Sequence, residues 1–145
     1  MRSPEQVQWD FVQQWLDKAE NDLKATEILL KSDLKSFETI GFHAQQSAEK
    51  FIKAFLVRHQ VEFPKTHDIS KLRNLVLKID QSISLKLEPA DALTPYGVEF
   101  RYPGDFDLNH QQAATAFQLA KRVKRVIMNH LKSYLAQGRP IDPEE

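Results

Sequence analysis

Residues 41–58, GFHAQQSAEKFIKAFLVR, decide the fold of this chain. Their apolar residues recur at spacings of three and four, as on the buried face of a helix; they are Ala44, Ala48, Phe51, Ile52 and Phe55. The pattern predicts a helix that opens at residues 36–39 and ends near residue 60, because the residue before Pro64 disfavours helical geometry. Several glutamine, glutamate and lysine side chains lie within this apolar helix, and the polar turn 65–68 follows it.

The same period continues over most of the chain. Residues 4–31 form the first predicted helix, in which Ser3 caps the N-terminus and Pro4 takes the first helical position. Thr66 or Asp68 is expected to cap a short third helix. Asn109 is the expected cap of a long last helix that ends before Gly138 and Pro140. The residues expected to be buried include Leu16, Leu23, Phe51, Phe55, Phe117 and Ile127.

Residues 81–97 are the most ambiguous part of the pattern. Ile83, Leu85 and Leu87 alternate with polar residues, which is also typical of a strand. A lone strand leaves its backbone groups unpaired, so we expect coil that leads into a short helix over about residues 89–99. The chain is therefore predicted to be all-α, an antiparallel up-and-down bundle of four to five helices. Residues 1–137 form one domain in this interpretation, and residues 138–145 form a flexible tail.

Composition restricts the function. The chain has 145 residues, and its 20 Lys and Arg balance its 20 Asp and Glu, so nucleic acid would need a local basic patch. The absence of cysteine excludes disulfides and thiolate catalysis and fits a cytoplasmic protein. No window approaches the about 20 apolar residues of a membrane span. No Gly-rich phosphate loop occurs, and the histidines lack the spacing of metal ligands, so neither a cofactor nor a metal is expected.

One face of the second helix carries a candidate site. Gln46, Lys50 and Lys53 are spaced four and three apart and therefore share a stripe that could bind phosphate. The alternative is an ordinary surface stripe in which Glu49 and Lys53 form an ion pair one turn apart, worth about 0.3–0.5 kcal/mol.

Two short polar segments contain further candidate ligand residues. In the turn 65–68, His67 either contacts a phosphate or a base, or connects the turn to a neighbouring helix. In residues 101–105, Arg101 has a fork of donors suited to phosphate, and Tyr102 can stack on a base. The alternative is that Arg101 pairs with Glu49 or Glu99 while Tyr102 packs a turn against the bundle.

These segments resemble the HEPN family of small helical domains. The resemblance rests on Gln-x-x-Glu-Lys-x-x-Lys-Ala at residues 46–54, on Thr-His-Asp at residues 66–68 and on Arg-Tyr-Pro at residues 101–103, and it extends from about residue 9 to about residue 135. It implies a bundle like the helical substrate-binding domain of some nucleotidyltransferases. We expect Gln46, Lys50, Lys53, Arg101 and Tyr102 to line one groove for the phosphates of a nucleotide or RNA, and His67 is a further candidate ligand.

The resemblance leaves two classes of function open. HEPN domains of this type commonly act with a separately encoded minimal nucleotidyltransferase, as a toxin-like or substrate-binding subunit without catalysis of its own. No Gly-Ser followed by Asp-x-Asp occurs here, so the nucleotidyltransferase must be another chain. Other HEPN proteins are metal-independent ribonucleases whose signature is Arg, four to six mostly polar residues and His. This chain departs from it, because eight residues separate Arg101 from His110. Arg101 and His110 are then a stretched candidate pair for acid–base catalysis.

Two further features concern partners. Residues 121–125, KRVKR, place four cations around Val123, and they either attract RNA phosphates or form a solvated face. No readout of DNA sequence is expected. Trp9 and Trp15 do not fit one narrow helix face, so one of them is expected to anchor a homodimer, as the resemblance also implies. The alternative is that both tryptophans cover loops of their own bundle.

Overall fold

The computed structural model describes residues 1–97 and 107–143, and every regular element among them is helical. In chain order they are α1 (Pro4–Lys31), α2 (Phe37–Arg58), α3 (Ile69–Leu77), α4 (Gln81–Leu87), a 3₁₀ helix (Glu88–Tyr96) and α5 (His110–Ala136). The prediction of an all-α bundle is confirmed. Within the same residues no helix combines the length and the apolar character needed to cross a membrane.

Local capping explains where three of the helices begin. Ser3 accepts a hydrogen bond from the backbone N–H of Gln6, whose side chain in turn accepts from the N–H of Ser3. Asn109 and Gln112 form the same reciprocal pair at the start of α5. Asp68 accepts from the N–H of Ser70 and caps α3. These side chains satisfy N–H groups that have no partner inside the helix, which confirms the predicted starts.

The core lies between the three long helices, and α2 packs against both α1 and α5. Phe51 and Phe55 are fully buried on α2, and the side chains predicted to be buried on α1 and α5 are buried as well. The hydroxyl of Ser47 donates to the carbonyl of Ala19 at 2.9 Å and joins α2 to α1. Because α2 is covered on both sides, its polar residues are forced into contact with one another and with neighbouring elements.

Residues 81–87 differ from the prediction of coil, because they form α4. Asp80 accepts a hydrogen bond from the N–H of Ile83 and caps the helix. Ile83 and Leu87, four residues apart, face the core, whereas Leu85 is exposed. The alternation in the sequence was misleading, because only two of the three apolar residues are buried. The short helix expected over residues 89–99 is the 3₁₀ helix that ends at Tyr96.

Both tryptophans of α1 lie against their own chain and are partly buried. The ring of Trp9 is 5.1 Å from that of Tyr134 on α5, and the ring of Trp15 is 6.1 Å from that of Phe63 in the α2–α3 loop. This is the arrangement of the alternative interpretation, in which each tryptophan covers its own bundle. The homodimer remains a prediction. Because both tryptophans pack against their own chain, neither is an evident anchor for it.

The start of the expected tail contacts α1. Gly138 adopts a φ of 75°, a left-handed geometry that suits glycine after a helix. Gln6 donates to the carbonyl of Pro140 at 3.0 Å. Arg139 pairs with Asp10 at 3.0 Å, and hydrogen bonds from Arg139 and Arg2 lower the pKa of Asp10 to about 2. Residues 138–140 are thus held by contacts, while the boundary of the domain stays a prediction.

Candidate functional site

A buried carboxylate organises the polar centre of α2. Glu49 is only 3% exposed, and its Oε2 accepts a hydrogen bond from the ammonium of Lys53 at 3.0 Å. Its Oε1 lies 2.7 Å from Nδ1 of His67 and 3.3 Å from the amide nitrogen of Gln45. The same amide donates to the carbonyl of His67 at 2.9 Å. Each carboxylate oxygen therefore has a partner, as a buried charge requires.

Lys53 is enclosed on its other sides by aromatic rings. Its ammonium lies 5.3 Å from the ring centroid of Trp15 and 5.5 Å from that of Phe63. These distances are those of cation–π contacts, which gain strength when the cation is removed from water. The pair of Glu49 and Lys53 is the ion pair of the alternative interpretation, but it lies in the interior rather than on the surface.

The other two residues of the predicted stripe have separate partners. Lys50 donates to Oδ2 of Asp22 on α1 at 2.5 Å, and His43 contacts Oδ1 of the same carboxylate at 2.9 Å. The amide of Gln46 donates to the side-chain oxygen of Gln45 at 2.7 Å. Gln46, Lys50 and Lys53 thus lie on one helix as predicted, but each is directed to a different neighbour.

His67 extends outward from the buried network. Its side chain is 66% exposed, although its Nδ1 is held by Glu49. A carboxylate only accepts hydrogen bonds, so Nδ1 carries the proton and Nε2 of the neutral ring is an acceptor. Thr66 and Asp68 stabilise the turn, because the hydroxyl of Thr66 accepts from the N–H of Asp68 at 3.1 Å. The arrangement matches the prediction that His67 connects the turn to a neighbouring helix, and it leaves one ring nitrogen available.

Arg101 and Tyr102 lie outside the described residues, so their distances to α2 are not part of the structure. The described residues on either side of them do contact α2. A Cβ on Gly97 would lie 2.8 Å from the amide carbon of Gln45. Leu108 donates its N–H to Glu38 at 3.2 Å. The last described residue before this segment therefore lies beside Gln45, and Leu108 after it lies near the start of α2.

His110 is the histidine of the candidate catalytic pair with Arg101. It is the first residue of α5, is exposed, and packs its ring edge against Phe37 at 5.9 Å. No carboxylate among the described residues orients its imidazole through a hydrogen bond or ion pair. Of the two candidate histidines, only His67 has its ring orientation fixed in this way.

Sequence reasoning missed two residues on which the site depends. Gln45 is fully buried and contacts Glu49, Gln46 and His67, and Asp22 of α1 joins Lys50 to His43. A glutamine inside a strongly apolar helix is a usable signal for Gln45. Asp22 gives no such signal, because its partners are about 20 to 30 residues away in the chain. Over residues 1–97 and 107–143 no group of three or more potential ligands could hold a metal ion.

Comparisons with known proteins agree with this architecture. The family model of the HEPN domain matches residues 12–131. The protein named "Putative toxin MJ1304" from Methanocaldococcus jannaschii is 27% identical to this chain over 138 residues, and the match covers 84% of this chain and 89% of that protein. No solved structure matches. Because the family model spans the three long helices and the Glu49 network between them, the chain belongs to the HEPN family.

Proposed function

We propose that this chain is a cytoplasmic, toxin-like HEPN subunit that binds the phosphates of a nucleotide or RNA beside the α2–α3 turn. The observation that supports the proposal is the contact of Glu49 with His67, which holds an exposed imidazole at the edge of a buried polar network. A fixed imidazole can accept a hydrogen bond from a base at Nε2 or, in its protonated form, donate one from Nε2 to a phosphate, without first losing rotational freedom. The name of the relative from Methanocaldococcus jannaschii includes the word toxin, which is consistent with the proposal.

The contacts of α2 limit which of the predicted ligand residues can bind a phosphate. Lys53 is buried against Glu49, and Lys50 would have to exchange Asp22 for a phosphate. In this proposal His67 and Arg101 therefore contact the phosphate, and Tyr102 stacks on a base or donates its hydroxyl. Lys53 contributes indirectly, because it holds the carboxylate that orients His67.

The test is a binding titration with fluorescently labelled RNA and with ATP. Replacing Arg101 and His67 together by Ala and Gln is expected to weaken binding at least about tenfold, the loss of one charge-assisted contact. Binding should also weaken steeply with added salt. Lys71→Ala removes an exposed cation of α3 and is the matched control. Equal losses in both variants, with helical content unchanged, would contradict the proposed site.

In the proposed function, this chain associates with a separately encoded minimal nucleotidyltransferase. We expect this chain and a nucleotidyltransferase encoded beside it to elute together in size-exclusion chromatography after co-expression. The control is the same experiment with an unrelated nucleotidyltransferase. Separate elution of the two proteins at about micromolar concentration, where stable partners stay associated, would contradict the partnership and leave phosphate binding intact.

A metal-independent ribonuclease is the second candidate, and the orientation of His67 is the specific observation that favours it. In cleavage without a metal, a base takes the proton of the 2′-hydroxyl while its oxygen attacks phosphorus, and the bond to the 5′-oxygen breaks as that oxygen takes up a proton. Nε2 of an imidazole held at Nδ1 can take the first proton, and water can supply the second. RNA incubated with the protein in EDTA is expected to be cleaved, and His67→Gln should abolish cleavage while His110→Gln reduces it less. Intact RNA after incubation with the wild-type protein would exclude this candidate.

A further inference from the structure

A cleft with basic walls lies between α4 and α5, apart from the Glu49 network. It has a volume of about 430 Å³ and is lined by Ile83, Lys86, Arg122, Arg125, Val126 and His130, together with Asn129. The α5 residues recur at spacings of three and four, so one face of that helix forms the wall. The short apolar floor comes from Ile83 and Val126, and the polar groups surround it.

The cleft has cations without matching carboxylates. None of its lining residues is acidic. In the part of the chain that the structure describes, no ion pair involves Lys86, Arg122 or Arg125. Three permanent positive charges around one cleft repel one another, and an anion between them would relieve that repulsion. No carboxylate of α5 can offset this repulsion, because residues 110–136 contain no Asp or Glu.

The neighbouring groove along α5 provides a contrast. It shares Arg125 and Asn129 with the cleft, its other cations are Lys121, Lys124 and Lys132, and Glu27 lies in its wall. Lys124 is in addition paired with Glu20 at 2.9 Å. Its charge is thus partly neutralised by α1, whereas the charge of the α4–α5 cleft is not. The cluster at residues 121–125 therefore does not form one uniform solvated face.

Two of the basic side chains in the cleft are held in place. The Nε of Arg122 donates to the carbonyl of Lys86 at 2.9 Å, at the end of α4. The terminal guanidinium nitrogens of Arg122 have no hydrogen bond to any described residue. The Nε2 of His130 contacts Nε2 of His59 at 2.8 Å, so its Nδ1 is the nitrogen left for another partner. Fixed donors lose less freedom when they bind a ligand.

We propose that this cleft is a binding site for a small phosphorylated molecule that carries a pyrophosphate or two adjacent phosphate charges. Arg122 and Arg125 bind the phosphate oxygens through their guanidinium groups, and Lys86 adds a point charge. Ile83 and Val126 contact the less polar part of the ligand. The volume falls in the range of about 300–1,000 Å³ that is usual for small-molecule sites.

The size and the floor favour a small ligand over a polymer. An RNA strand needs a groove that follows its backbone and rings on which bases stack. No Phe, Tyr or Trp lines this cleft, and the imidazole of His130 is already packed against Phe55 and His59. A protein segment that docks as an amphipathic helix needs a longer apolar groove than two side chains supply. Both classes of polymer remain outcomes that the experiment distinguishes.

The test uses isothermal titration of the whole chain with inorganic pyrophosphate and, separately, with sodium sulfate at matched ionic strength. We expect pyrophosphate to bind with one site per chain and sulfate to bind much more weakly. Arg125→Ala, which removes no hydrogen bond or ion pair among the described residues, should lower the affinity about tenfold or more, and Arg122→Gln should do the same. Lys132→Ala is the matched control from the neighbouring groove and should bind as the wild type does.

Amide chemical shifts locate the site and separate it from the proposed function. Pyrophosphate should shift the resonances of Ile83, Arg122 and His130, and His67→Gln should leave this binding unchanged. Separate titrations with a 12-nucleotide RNA and with poly-glutamate test the two classes of polymer as ligands. The proposal is overturned if pyrophosphate does not bind at millimolar concentration, if Lys132→Ala weakens binding as much as Arg125→Ala does, or if only a polymer binds at these residues.

Discussion

The ammonium of Lys53 lies 3.0 Å from the carboxylate of Glu49, although the two side chains are only 9% and 3% exposed. The pair lies in the part of the bundle that also contains Trp15 and Phe63, and Glu49 contacts the exposed side chain of His67. Two buried charges stabilise each other only as a pair, because removing one of them leaves the other buried without a partner. Several consequences of this pair and of its surroundings can be measured.

Replacing Glu49 by Ala should destabilise the fold strongly. The change leaves the Lys53 ammonium buried without its carboxylate, and breaking a buried pair in this way costs about 3–5 kcal/mol. Urea denaturation followed by circular dichroism measures the free energy of unfolding. The double variant with Lys53→Met is the control and should cost less than Glu49→Ala alone, because it removes the unpaired charge. A single-variant cost below about 1 kcal/mol, the level of a surface pair, would disagree with the buried geometry.

Replacing Phe55 by Ala should also destabilise the fold, for a different reason. Phe55 is fully buried in the core, and the change leaves a cavity that the three long helices cannot fill, at a cost of about 3–5 kcal/mol. Phe11→Ala is the matched control, since Phe11 is 50% exposed on α1 and should cost much less. Equal midpoints of thermal unfolding for the two variants would show that the core is not arranged as described.

His59 should make the fold sensitive to acid. Burial, with the neighbouring His130 and Arg58, lowers the pKa of His59 below its usual value of 6.5. As the pH falls through 6.5, the unfolded chain takes up this proton before the folded chain does, so the free energy of unfolding falls. The loss of stability is complete once the pH is below the pKa of His59 in the folded chain. Above pH 6.5 the contribution of His59 to the free energy of unfolding is fully present.

The measurement for His59 compares unfolding curves at about pH 7.5 and about pH 5.5, on either side of the usual histidine pKa. His59→Gln should lose less stability than the wild type between these two conditions. His110→Gln is the control, because His110 is exposed at the start of α5. An unchanged pH dependence in His59→Gln would mean that other groups cause the acid sensitivity.

The homodimer can be tested directly by light scattering. Since Trp9 and Trp15 pack on their own chain, Phe11 is the aromatic residue of α1 that remains half exposed. If α1 forms the interface, Phe11→Ser should shift the protein from dimer to monomer, because an aromatic anchor contributes most at the centre of an interface. Leu85→Ser, an exposed change on α4, is the control. A monomer at high micromolar concentration would exclude a stable dimer.

The helices could be predicted because their signals are local. Ser3, Asp68 and Asn109 each cap the helix that follows, and a cap depends only on residues up to three positions away. Where a local signal was ambiguous, the prediction failed. The alternation of Ile83, Leu85 and Leu87 does not show which of them meets the core, and the sequence predicts coil where α4 forms.

The sequence by itself determined an all-helical chain with a buried second helix, and it identified Glu49, Lys53 and His67 as residues of interest. Only the tertiary structure decided their partners. Lys50 is paired with Asp22 and Lys53 with Glu49 because α1 packs along one side of α2 and the α2–α3 turn folds over another. Helical spacing fixes the direction in which a side chain leaves its own helix. Whether that direction ends at water, a carboxylate or an aromatic ring depends on elements far away in the chain, and their packing sets the charge available at each site.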